Sequence, residues 1–181
     1  MSPADRAAAA VPADAYVSIG TNLGDRDAHL ALARRRLAAL PETELVAVSP
    51  IYETDPVGPP PQGPYLNAVA HLRTRLAPRA LLEALLAIER EAGRARSVRD
   101  AARTLDLDLL LHGDRIVDEP GLVLPHPRLA ARAFVLEPLA ALAPDLRHPT
   151  LGEPIASLAA RVRDPRAVRR WGGGGDAGRA G

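Results

Sequence analysis

The stretch Arg103-Thr104-Leu105-Asp106-Leu107-Asp108-Leu109-Leu110-Leu111 decides how this chain is read. Side chains of a strand alternate between faces, so Asp106 and Asp108 share one face while Leu105, Leu107 and Leu109 share the other. Two carboxylates side by side in apolar surroundings repel each other and are costly to desolvate unless a cation or hydrogen bonds compensate. A hard divalent cation is the simplest compensation. Mg²⁺ is commonly held in this way, by one or two carboxylates with phosphate oxygens and water completing its shell. An amphipathic edge strand with a solvated acidic face would carry the same pattern.

The flanking residues favour the first reading. Arg94, Arg96, Arg99 and Arg103 lead directly into the two acids. A triphosphate needs both parts, a metal bridging its oxygens and guanidinium forks neutralising the rest of its charge. Pro125-His126-Pro127-Arg128 and Arg132-Ala133-Phe134 add further arginines and a histidine; His126 by itself reads as a structural side chain. Tyr65 and Asn67 are two positions apart on an expected strand and so share a face. A ring beside a bidentate amide suits a flat heterocycle, although Tyr65 and Phe134 would equally serve as core packing. Gly20-Thr21-Asn22-Leu23-Gly24 lacks the G-x-G-x-x-G spacing of a dinucleotide site, which argues against a Rossmann fold.

Composition narrows the classes further. With 181 residues and 47% hydrophobic content, the chain is long enough for one globular domain with a sizeable core. Its 23 basic residues are all arginine, which excludes a Schiff-base or P-loop lysine. Cysteine is absent, so disulfides, thiolate catalysis and Cys-ligated zinc are excluded together. No apolar run reaches membrane-spanning length, and the alanines at 7–10 lack the longer apolar core of a signal peptide. The expectation is a soluble, monomeric cytoplasmic protein with neither a membrane nor a nucleic acid as partner. Residues 1–14 and 164–181 are expected to be flexible extensions around a domain at 15–163.

Within that domain, Tyr16 to Ile19 reads as a strand running into a capped turn, and Ala28 to Leu40 as an amphipathic helix. Glu44 to Tyr52 and Leu66 to Leu76 read as strands separated by a Pro/Gly-rich loop. Pro78 suits the first position of a helix that Gly93 ends. With the acidic strand, the order is β-α-β-β-α-β, the ferredoxin-like α+β arrangement of a mostly antiparallel sheet with helices on one face. Hairpin and helical elements are expected from Gly113 to about Val162.

The ordered set Ser18 to Asp25, Tyr52 to Gly58, Pro64 to Asn67, Gly93 to Arg96, Arg103 to Asp108, Pro125-His126, and Arg132 with Phe134 resembles the hydroxymethyldihydropterin pyrophosphokinases of folate biosynthesis. The resemblance implies transfer of the β,γ-pyrophosphoryl group of ATP to a dihydropterin hydroxymethyl group, releasing AMP. It also implies two Mg²⁺ ions held by Asp106 and Asp108, with Arg94 and Arg103 completing the catalytic set. The pterin would lie between Tyr65 and Phe134, read by Asn67, Thr54 and backbone groups near Asp55 and Val57. Glu89, Arg94, Arg96, Arg99, Arg103, His126 and Arg132 would face the nucleotide.

The chain departs from the family pattern at two places. Asp100-Ala101-Ala102 stands where Trp-Gly-Pro is usual, and Leu86 where a glutamine is common. Two other classes remain to be weighed. A metal-dependent nuclease or phosphodiesterase would use the same acids without needing Tyr65, Asn67 and Phe134. An RNA-binding ferredoxin-like module would want a strongly basic balance, against the net charge of +1 found here.

Overall fold

Two strands in the middle of the sheet carry buried side chains on both faces. They are β1 (Ala13–Thr21) and β4 (Tyr65–Thr74), paired antiparallel from Ala13↔Thr74 to Thr21↔Leu66. Their near-continuous apolar runs follow from that position, because each face of a central strand meets a packed layer. The computed structural model describes residues 11–56, 62–93, 105–164 and 167–172.

Around this pair the sheet is antiparallel, in the order β5-β1-β4-β3-β8 with β2 also on β4. The flanking strands are β2 (Thr43–Val48), β3 (Tyr52–Thr54), β5 (Asp106–His112) and β8 (Val168–Arg170); β6 (Val117–Glu119) and β7 (Leu122–Leu124) form a separate hairpin. The helices are α1 (Arg26–Ala38), α2 (Pro78–Glu91), α3 (Ala133–Leu142) and α4 (Ile155–Val162). The β-α-β-β-α-β order expected of a ferredoxin-like domain is present.

Local chemistry sets the element ends. Asp25 caps α1 by accepting from the Ala28 amide at 3.0 Å, so the helix starts two residues before the expected Ala28. Leu30, Ala33 and Leu37, spaced by three and four, give α1 its buried stripe. Pro78 opens α2, where its missing N–H is no loss, and Gly93 follows at φ +80°, a conformation that favours glycine.

The first face of the sheet carries Ala15, Val17, Ile19, Leu66, Leu72, Leu107 and Leu109 against Leu30, Leu37, Leu81, Leu85 and Ile88 of α1 and α2. The second face is not left bare, contrary to the expectation of helices on one side only. Tyr16, Val69, Leu110 and Leu111 pack there with Leu136, Leu139, Ile155 and Leu158 of α3 and α4. A bulge makes this possible: β1 pairs Tyr16 with Leu111 and Val17 with Leu109, leaving Leu110 as the extra residue. Both Leu110 and Leu111 therefore join the second cluster.

Two further expectations are corrected. Glu44 to Tyr52 is not one strand, because Pro50 has no N–H to place in the ladder. Ser49 bridges the break, its amide donating to Val69 O and its hydroxyl accepting from Val69 N, both at 2.9 Å. Chain order also continues past Asp164: β8 pairs with β3, and the Trp171 amide donates to Ile51 O at 2.8 Å. Trp171 then packs against the first cluster, which supplies the apolar burial that a charged three-residue strand lacks.

Candidate active site

β5 is an edge strand, and its two acids behave as the alternation requires. Asp106 and Asp108 are half-buried, whereas Leu107 and Leu109 are 3% and 4% exposed. The amide between the two acids is held from α2: Leu107 N donates to Glu89 Oε1 at 2.8 Å, and Glu89 is 2% exposed. Glu89 thus meets β5 at the backbone that separates the acids.

Register carries this acidic end across the sheet. Asp106 pairs with Gly20 on β1, Gly20 with Asn67 on β4, and Asn67 with Tyr52 on β3. Asn67 and Thr54 are both buried, and Asn67 Nδ2 donates to Thr54 Oγ1 at 2.7 Å. The one residue between amide and acid is a glycine. A Cβ at that position would stand 3.4 Å from Asn67 Oδ1.

Tyr65 lies two residues before Asn67, and its hydroxyl donates to Gln62 Oε1 at 3.3 Å. The same oxygen accepts from Asn22 Nδ2 at 2.8 Å, so the segment before β4 is docked on the turn after β1. Arg26 adds to this docking by donating to Glu53 Oε2 at 2.9 Å and to Pro64 O at 3.0 Å. Asn22, Arg26 and Gln62 were not singled out from sequence. The hairpin-like return of the chain onto its own first turn has no local signature.

The downstream motifs reach the acids from the second face. His126 is anchored on β5 by its amide, which donates to Leu110 O at 2.9 Å. Its imidazole is held below its ordinary pKa, first by burial and then by the Arg132 and Arg128 charges, while Asp106 acts in the opposite direction. That balance puts His126 within electrostatic reach of an acid and two guanidinium groups. Arg132 lies 5.4 Å from the centroid of the Phe134 ring. Phe134 sits in the first turn of α3, half-buried against the second cluster, and α3 packs on β4 and touches β3.

Asp55, at the end of β3, is exposed and its carboxylate is paired with Arg169. Leu86 is half-buried on α2. Val57, Arg94, Arg96, Arg99, Arg103 and the Asp100-Ala101-Ala102 departure lie outside the described residues.

Fold and site together set a carboxylate pair and a buried amide one strand apart on a ferredoxin-like sheet. The comparisons with known proteins supply the class, a transferase. The family model described as 7,8-dihydro-6-hydroxymethylpterin-pyrophosphokinase (HPPK) matches residues 16–144. A 2-amino-4-hydroxy-6-hydroxymethyldihydropteridine pyrophosphokinase of Pseudomonas aeruginosa is 54% identical over 134 residues, covering 74% of this chain and 83% of that protein. One of the same name from Haemophilus influenzae is 39% identical over 155 residues, covering 86% of this chain and 96% of the relative. A solved structure of HPPK-DHPS in complex with substrates superimposes with a TM-score of 0.66 at 13% identity, covering 88% of this chain and 46% of that one. The chain belongs to the 7,8-dihydro-6-hydroxymethylpterin-pyrophosphokinase family. Neither the nuclease nor the RNA-module reading has a counterpart in these matches.

Proposed function

We infer that this protein transfers the pyrophosphoryl group of ATP to the hydroxymethyl oxygen of 6-hydroxymethyl-7,8-dihydropterin, giving AMP and the pterin diphosphate. The observation that supports the reading is the registered row Asp106, Gly20, Asn67: it sets an acid and a buried amide one strand apart, which suits a polyanion on one side and a heterocycle on the other. The family and its named relatives support the same reaction.

In this reading Asn67 and Thr54 meet the polar edge of the pterin, Tyr65 and Phe134 its faces, and the backbone near Asp55 and Val57 closes that side. Arg132 and His126, with Arg94, Arg96, Arg99 and Arg103, receive the phosphates, and Glu89 fixes the β5 backbone between the acids. Guanidinium forks suit this task because they neutralise charge and fix orientation at once. In-line transfer between two bound substrates asks little more of a protein than positioning and charge neutralisation.

Asp106 and Asp108 fit a hard divalent cation. They offer carboxylate oxygens on one half-buried strand face. The remaining ligand positions then fall to phosphate oxygens and water, as Mg²⁺ prefers. When bound, such ions neutralise phosphate charge and polarise the reacting phosphoryl centre.

The same proposal includes two Mg²⁺ ions, a monomer and a cytoplasmic location. Among the described residues no helix is long and apolar enough to cross a membrane. Incubation with ATP, Mg²⁺ and the dihydropterin tests the reaction class. AMP formation that depends on the pterin supports it; ADP as the product overturns it.

A further inference from the structure

β3 is only three residues long, yet it presents Thr54, the acceptor for the Asn67 amide. So short a strand is held by what flanks it. On one side is β4; on the other is β8, in the register Tyr52↔Arg170, Glu53↔Arg169 and Thr54↔Val168. Thr54 is the last residue of the ladder, and Asp55 is the first beyond it.

At that point the pairing passes from backbone to side chains. Arg169 grips the Asp55 carboxylate with both guanidinium nitrogens, Nη2 to Oδ1 at 2.9 Å and Nη1 to Oδ2 at 3.2 Å. The same Nη2 lies 3.7 Å from Glu53 Oε1, and the other Glu53 oxygen accepts from Arg26 Nη1 at 2.9 Å. A run of alternating charge, Arg26, Glu53, Arg169, Asp55, therefore ties the first turn of α1 to the end of β3 through β8. Arg26 also stands 5.0 Å from the centroid of Trp171, the residue after β8.

We propose that Arg169 is a positioning residue for the heterocycle subsite, fixing Asp55 and through it the placement of Thr54 against Asn67. This rests on the pterin reading of Thr54 and Asn67 given above. A planar fork gripping both carboxylate oxygens restricts rotation as well as distance, which a single contact from lysine does not. Arg169 touches no substrate in this account. Its influence falls on the pterin side and leaves the nucleotide side, built on β5 with His126 and Arg132, largely alone. The pair is exposed, at 43% for Arg169 and 62% for Asp55, so salt screens it.

The test is the separation of the two Michaelis constants. Arg169→Ala should raise KM for the pterin about three- to fivefold while KM for ATP changes less than about twofold, the scale expected of an exposed ion pair. Arg169→Lys, which keeps the charge and loses the fork, should fall between the two. The exchange Asp55→Arg with Arg169→Asp should bring the pterin KM back towards the parent value. In the parent enzyme that constant should rise with NaCl more steeply than in Arg169→Ala, a comparison that holds even if one variant folds poorly. Equal changes in both constants, or an unchanged pterin KM, overturn the inference. Absence of pterin-dependent AMP from the parent enzyme would instead overturn the reading beneath it.

Discussion

Asp106 and Asn67 are both register partners of Gly20, one from each side, so the acid and the amide are separated by a strand with no side chain between them. Two interstrand spacings set their Cα atoms about 10 Å apart. In the proposed function, one end of that span would handle charge and the other would read a polar edge. The glycine is therefore a spacer, and the face it leaves open is where the two substrates of a transfer would meet.

Filling that space should separate folding from activity. Gly20→Ala sets a methyl 3.4 Å from Asn67 Oδ1, at the edge of ordinary contact, and should cost activity only about two- to threefold. Gly20→Val suits a strand by propensity, so the protein should stay folded, but its branched side chain stands between the acid and the amide. A loss of at least about tenfold in kcat/KM for the pterin is expected, equivalent to roughly 1.4 kcal/mol. Steady-state kinetics beside a thermal melt decide it; a fully active valine variant would show that the two ends do not cooperate across Gly20.

The Thr54 hydroxyl is the buried partner of the Asn67 amide. Thr54→Val keeps the shape and removes the acceptor, leaving a buried N–H unsatisfied at a cost of about 1–3 kcal/mol. Thermal stability should fall by that amount, and affinity for the pterin should fall with it while that for an ATP analogue is retained. Calorimetric titration with each ligand checks the split, and an unchanged pterin affinity would remove Thr54 from the site.

His112 makes stability depend on pH. It is 2% exposed, its Nε2 donates to Leu76 O at 2.9 Å, and Nδ1 has no hydrogen-bond partner among the described residues. Burial is the main cause that holds this imidazole below its ordinary pKa, and His126 and His148 are displaced the same way. Unfolded histidine titrates near 6.5, so below about that pH the unfolded chain binds more protons than the folded one. The stabilising contribution of neutral His112 is complete above about pH 6.5 and is lost as pH falls from there towards the folded value. Thermal midpoints should drop between about pH 7 and pH 5.5, and His112→Gln, which keeps a donor for Leu76 O, should flatten that slope. Parallel slopes for parent and variant would show that His112 is not the group responsible.

Much of this arrangement is legible in sequence because it rests on short-range pattern. Alternation alone puts Asp106 and Asp108 opposite Leu107 and Leu109, and Asp25, Pro78 and Gly93 mark helix ends by their own backbone chemistry. What is not legible depends on partners far away in the chain. β8 reads as a charged tail because Val168, Arg169 and Arg170 show no apolar face; its pairing with Tyr52, Glu53 and Thr54 spans 114 residues at Thr54↔Val168 and 118 at Tyr52↔Arg170. The division at Pro50 is visible as a proline but not as a bridged break, since Ser49 compensates through Val69 on another strand. The spacer role of Gly20 appears only when its two register partners are known, and the covering of the second face by α3 and α4 only when the bulge at Leu110 turns two leucines towards them.

The central claim, that Asp106 and its neighbours carry out pyrophosphoryl transfer to a pterin, is tested most directly by following labelled phosphorus. ATP carrying ³²P at the β position is incubated with Mg²⁺, the dihydropterin and either the parent protein or Asp106→Asn, and the nucleotide and pterin products are separated. The account predicts that the label leaves the nucleotide and appears in the pterin product with the parent protein, that the remaining nucleotide is unlabelled AMP, and that Asp106→Asn, though folded, gives neither. Label retained in ADP, or transfer undiminished in Asp106→Asn, would contradict it.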